Sequence, residues 1–85
     1  MSTRQHIFDA IEAERAYQDQ KWGNAFDNKN TPNDWVSYIC TYACKAAMLK
    51  FDAALYRTAL VKTAALCVAA LESFERVGLV KRHYD

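Results

Sequence analysis

Glycine and proline are almost absent, with two of the first and one of the second in 85 residues. Each falls where a helix would begin or end, and no strand-like alternation lies between them. Histidine is equally scarce. With only His6 and His83 to draw on, neither a zinc site nor a Cys–His nucleophile is expected, although Cys40 and Cys44 have the i, i+4 spacing a metal accepts. The net charge of +1 argues against an extended nucleic-acid partner, which needs a strongly basic face. No apolar run reaches the roughly 18 residues of a membrane span. The polar N-terminus carries no signal-peptide pattern, so a cytoplasmic protein with no membrane partner is the expectation. Cys40, Cys44 and Cys67 lie among apolar neighbours and read as reduced thiols of the core.

What the chain does have is apolar surface. Hydrophobic residues are 52% of the sequence, and a domain this small has a thin core to put them in. The excess, mostly alanine and aromatics, points to a partner subunit. Helical spacing divides the chain into segments over 3–22, 32–50 and 53–77. Ser2 or Thr3 can cap the first, which Gly23 ends. The polar stretch 23–32 reads as a loop. Thr31 caps the second helix, with Pro32 at its first position and Asp34 placed for a capping box. Its apolar positions are Trp35, Ile39, Tyr42, Ala46 and Leu49. Asp52 caps the third, with Leu55, Ala59, Leu66, Ala70 and Val77 along one side and Leu60, Cys67, Leu71 and Phe74 along another. Gly78 closes it, and the tail from 79 onward has no assignment. The expected architecture is all-α: one domain over 1–85, a small helical bundle built on a long antiparallel helix hairpin and completed by homo-oligomerisation.

One stretch breaks the pattern. In "ERAYQDQKWG", residues 14–23, Glu14 and Gln18 fall on the line that Ile7 and Ile11 define, with Lys21 and Trp22 flanking it. A core-facing line is normally apolar throughout. Either it borders a pocket, or Glu14 belongs to a buried network with Lys21 or a basic residue from another helix. In the pocket reading the carboxylate and amide read the edge of a base or ribose, Lys21 reaches phosphate, and Tyr17 and Trp22 offer flat surfaces. Arg15 and Asp19 need only be a surface pair.

The pattern E-x-x-x-Q-x-x-K-W-G, a polar loop, "DW" opening a second helix and then "LVKTAALCVAALE" resemble the MazG-like all-α nucleotide pyrophosphohydrolases, in particular their short phage-type members. The resemblance runs from about Ile7 to Glu72. It implies hydrolysis of nucleoside triphosphates with magnesium, held by an E-E-x-x-E set on one helix and an E-x-x-D set on the next. Those positions fall here on Thr41, Tyr42 and Lys45, and on Ala59 and Lys62. None is a carboxylate, and a hard cation needs several oxygen ligands close together. Glu72 and Glu75, near a helix end, read as surface charges and do not replace them. Lys45 and Lys62 instead bring positive charge to where the family meets phosphates, beside Tyr38 and Tyr42, whose faces can stack on bases.

Three functions remain open. The first is a non-catalytic nucleotide-binding protein with no metal or other cofactor. Its ligand-binding residues would be Glu14, Tyr17, Gln18, Lys21, Trp22, Tyr38, Tyr42, Lys45 and Lys62. The phage-type resemblance suggests one use for it, sequestering nucleotide signals of host defence. The second is a magnesium-dependent nucleoside triphosphate pyrophosphohydrolase. The third is a purely structural helical interaction protein.

Overall fold

The computed structural model describes residues 2–81. Among them are the helices α1 (Thr3–Lys21), α2 (Gly23–Asp27), α3 (Pro32–Met48) and α4 (Ala53–Val77), and no strand. His83, weighed above as a metal ligand, lies outside the described residues, as does the end of the unassigned tail.

Local hydrogen bonding sets the ends. The Ser2 hydroxyl accepts the Gln5 N–H at 3.1 Å. The Thr31 hydroxyl accepts the Asp34 N–H at 3.2 Å while the Asp34 carboxylate accepts the Thr31 N–H at 2.9 Å, the reciprocal pairing of a capping box behind Pro32. Asp52 accepts from the Leu55 N–H at 3.0 Å. Gly78 closes α4 with a φ of +72°, a conformation that side chains resist. The first helix ends at Lys21, one residue short of expectation, and two further boundaries differ. The second helix stops at Met48, not at 50. The stretch after Gly23 is not all loop, because Gly23 (φ +78°) ends α1 and at once begins the single turn of α2. The Trp22 and Phe26 rings stack across it, 5.2 Å between centroids.

α4 is the central element. It packs most extensively on α3, then on α1, and more lightly on α2. The residues it buries are small, Ala59, Ala65, Ala69 and Ser73, and α3 buries Ala46 and Trp35. Small side chains let helices approach closely, so the tight contact runs along this alanine line. Of the two apolar sides expected of the third helix, the first is buried in part, with Ala59 buried, Leu66 and Ala70 half-buried and Leu55 and Val77 exposed, and the second, Leu60, Cys67, Leu71 and Phe74, is exposed throughout in the single chain. The three cysteines are likewise exposed and free. They are not core thiols, because they occupy faces of α3 and α4 that no other element of this chain covers. By length and composition alone α4 is apolar enough to cross a membrane, with a mean hydropathy of 1.4 and 17% of its most apolar stretch buried. This corrects the expectation that no apolar run is so long: the stretch qualifies on average hydropathy although charged residues such as Lys62 stand within it.

Candidate binding cavity

The polar line of α1 is only partly turned to solvent: Glu14 and Gln18 are half-buried and Lys21 is exposed. Glu14, Gln18 and Lys21 border a cavity of about 300 Å³, closed by α2, the first half of α3 and the middle of α4. Pockets for small ligands begin at about this size. Tyr17 lines it from α1, Trp22 from the junction of α1 and α2, Tyr38 and Tyr42 from α3, and Lys62 from α4. Eight of the nine residues expected to bind a ligand therefore share one cavity. Lys45 is the exception. Its ammonium sits 4.7 Å from the Tyr42 ring centroid, on the exposed side, and does not reach the cavity.

The walls are aromatic and the charges are largely paired. Trp35 meets Tyr38 edge-on, 6.3 Å between centroids at 87°. The Lys62 ammonium lies 5.7 Å from the Tyr17 ring and 3.4 Å from the Glu14 carboxylate. Gln18 donates to the same carboxylate at 3.2 Å. Glu14 thus has a basic partner from another helix, and this network forms one wall of the cavity. Lys21 differs. Its ammonium lies 5.0 Å from the Trp22 ring centroid, and among the described residues it pairs with no carboxylate.

Arg15 is no surface residue. It is 7% exposed, and its guanidinium donates to Glu72 of α4 at 2.9 Å, Gln18 at 3.1 Å and Asp19 at 2.7 Å. Burial works against its charge, but the bonds to Glu72 and Asp19 outweigh it, so its pKa is raised above the ordinary value. The planar fork suits several acceptors at once. It locks α1 against α4 and holds the Gln18 amide at the cavity wall. One of the two acids read as surface charges, Glu72, is thereby tied across helices.

The cavity floor holds two residues that sequence reasoning passed over. Asp27 and Asn30 are 6% and 7% exposed, and both line the cavity. The chain is pinned there through the Asp27 backbone carbonyl, which accepts from the Asn30 N–H at 3.2 Å and the Ser73 hydroxyl at 3.4 Å. Arg76 of α4 donates to Asn28 at 3.1 Å. The side chains are less well served. The Asn30 Nδ2 is buried with no hydrogen-bond partner among the described residues, and no donor there reaches the Asp27 carboxylate. Burial raises the Asp27 pKa, opposed by the nearby charge of Arg15. An unpaired buried polar group costs about 1–3 kcal/mol. In sequence the pair looked like turn formers ahead of a cap. The one available signal was the Trp22/Phe26 spacing, which folds that stretch inward.

No family model matches this chain, and no match was found among curated proteins or among solved structures. The likeness to MazG-like enzymes rests on the quoted motifs alone. The donor set does not suit that group's magnesium: Tyr42 and Lys62 line the cavity where its acids would be. Among the described residues no three His, Cys, Asp or Glu side chains gather.

Proposed function

We propose that the cavity binds a flat-ringed, phosphorylated small molecule of the nucleotide class and does not turn it over. The observation that carries this is the meeting of Tyr17, Trp22, Tyr38 and Tyr42 with Lys21 and Lys62 around one 300 Å³ space. Aromatic faces stack on bases whatever their sequence, and ammonium groups hold phosphate oxygens as point charges. Lys21, at the edge of α1 and unpaired among the described residues, is the phosphate contact. Lys62 is shared with Glu14. Sequestration of nucleotide signals rests on the phage-type resemblance alone. The Glu14–Lys62 pair is the observation that favours the structural alternative.

A thermal-shift panel of mono-, tri- and cyclic nucleotides in EDTA tests the reading, since a ligand of the folded state raises its melting temperature. One charge-assisted contact contributes about 1.5–3 kcal/mol, so Lys21→Ala weakens a true ligand roughly ten- to a hundredfold. No shift from any nucleotide at millimolar concentration overturns the proposal. Metal-dependent release of pyrophosphate replaces it with the enzyme.

The assembly belongs to the same proposal. α3 and α4 are joined by residues 49–52 alone and share the largest packing surface, which supports an antiparallel hairpin. Its outer face carries Tyr56, Leu60, Cys67, Leu71 and Phe74 at helical spacing, all exposed. The accessible surface is 6252 Å², against about 5,100 Å² for a compact monomer of this mass. The excess of about 1,100 Å² exceeds the roughly 800 Å² each partner contributes to a standard interface. A second copy of the chain covering this face accounts for it.

A further inference from the structure

The outer face of α4 is ordered in a way that a mere apolar surface would not be. Of the charged residues on this helix, Lys62 pairs with Glu14, Glu72 pairs with Arg15, and Arg76 donates to Asn28. Arg57 and Glu75 are exposed and have no partner among the described residues. They stand 18 positions apart, about five full turns, so they share one line along the helix with about 27 Å between them. Tyr56 and Phe74, both exposed, have the same separation on a second line. Between the two lines run Leu60, Ala64, Cys67 and Leu71, at the alternating spacing of four and three that helix–helix seams use. Ala64 is half-buried and the other three are exposed.

These residues match end for end. Arg57 with Glu75, Tyr56 with Phe74, Leu60 with Leu71, and Ala64 with Cys67 all have midpoints between positions 65 and 66. Laid antiparallel on its own copy about a two-fold axis at that point, α4 brings each residue opposite its match. Leucine meets leucine on either side of the axis, the small Ala64 and Cys67 stand at the crossing, and an ion pair closes each end. A parallel pairing would set Arg57 level with Arg57 and Glu75 level with Glu75. A lipid surface, which the apolar character of α4 would also suit, gives the matched charges no role. We propose that two copies of the chain associate through an antiparallel α4–α4 seam, with Arg57 of each copy paired to Glu75 of the other. This rests on the second-copy reading above and adds the face, the direction and the register. The surplus accessible surface of the single chain is large enough for it.

Charge reversal in trans, followed by analytical ultracentrifugation, tests the seam. Arg57→Glu gives a chain with acids at both ends of the seam, and Glu75→Arg gives one with bases at both. Each substitution enters the dimer twice, so either variant alone dissociates about tenfold more readily than the unaltered chain. An equimolar mixture of the two regains the unaltered affinity, because every acid of one copy then faces a base of the other. A parallel seam, with like charges already level, is not weakened by either variant. Circular dichroism shows whether each variant stays helical. Should either unfold, a short bis-maleimide on the unaltered chain decides, linking two copies through Cys67, which lies within about one turn of its counterpart. Oligomers that neither variant weakens, that the mixture does not restore, or that do not link through Cys67 overturn the antiparallel seam and leave a second copy on another face. Monomers of the unaltered chain at micromolar concentration overturn both readings, and monomers that sediment with phosphatidylcholine vesicles assign the face to lipid.

Discussion

Replacing Arg15 by alanine removes the tie that holds α1 to α4, and the loss can be estimated from its contacts. The bond to Glu72 at 2.9 Å ends on a carboxylate that is 49% exposed, so solvent screens it and about 1 kcal/mol is a fair value. The Asp19 bond at 2.7 Å is an i, i+4 pair with a half-exposed partner, worth about 0.3–0.5 kcal/mol. The neutral Gln18 bond adds about 0.5–1 kcal/mol. Losing the buried methylenes of the stem costs about 1–1.5 kcal/mol more. The sum is about 3 kcal/mol. At about 2.1 cal/mol/K of unfolding entropy per residue, an 85-residue chain melts about 5–6 °C lower for each kcal/mol. Arg15→Ala therefore lowers Tm by about 15 °C. Arg15→Lys keeps charge and stem but cannot serve three acceptors, and loses about half as much. Circular-dichroism melts at low and high salt check both, and added salt removes only the part due to exposed charge. A change under about 3 °C for Arg15→Ala would refute the tie.

Two further outcomes follow from burial. The Asp27 carboxyl has a raised pKa because burial disfavours its charged form; Arg15 and Arg76 pull the value back, and Asp19 and Glu72 add to the rise. Below its unfolded value of about 3.8 the group is protonated in both states and has no effect. As pH climbs from there through the folded value, the unfolded chain ionises first and the fold loses stability. Asp27→Asn therefore melts higher than the unaltered chain at pH 7, with the difference vanishing in acid; an equal or lower Tm at pH 7 contradicts this. Light scattering at micromolar concentration should give a dimer or larger closed oligomer, and a clean 9.7 kDa monomer removes the partner subunit from the account.

The helix caps could be read in the sequence because each is encoded within about four residues. Thr31, Pro32 and Asp34 carry their own hydrogen-bonding pattern, and so does Asp52 with Leu55. The polar line Glu14, Gln18 and Lys21 was legible as an anomaly, since a core-facing stripe should stay apolar. Its partner was not. Arg15 meets Glu72 across 57 positions, and no local pattern distinguishes that from the i, i+4 pair with Asp19. Periodicity showed that Cys67 and Leu71 share a face, but not that the face lies open in one chain. Gly23 was read correctly as a stop, yet a left-handed glycine can also begin the next turn, and that turn carries Asp27 inward. Lys45 was placed one face away from where it points, because Tyr42 beside it is half-buried and the lysine folds back over its ring.

Trp22 and Trp35 are the only tryptophans in the chain, and both line the cavity. Their emission reports occupancy directly. Titration of the protein with each nucleotide of the thermal-shift panel, in EDTA, should quench it along a saturating curve for those that bind. Lys21→Ala should move that curve to roughly ten- to a hundredfold higher concentration. Emission that stays unchanged up to millimolar nucleotide, once corrected for absorbance, would contradict the claim that this cavity is a nucleotide site.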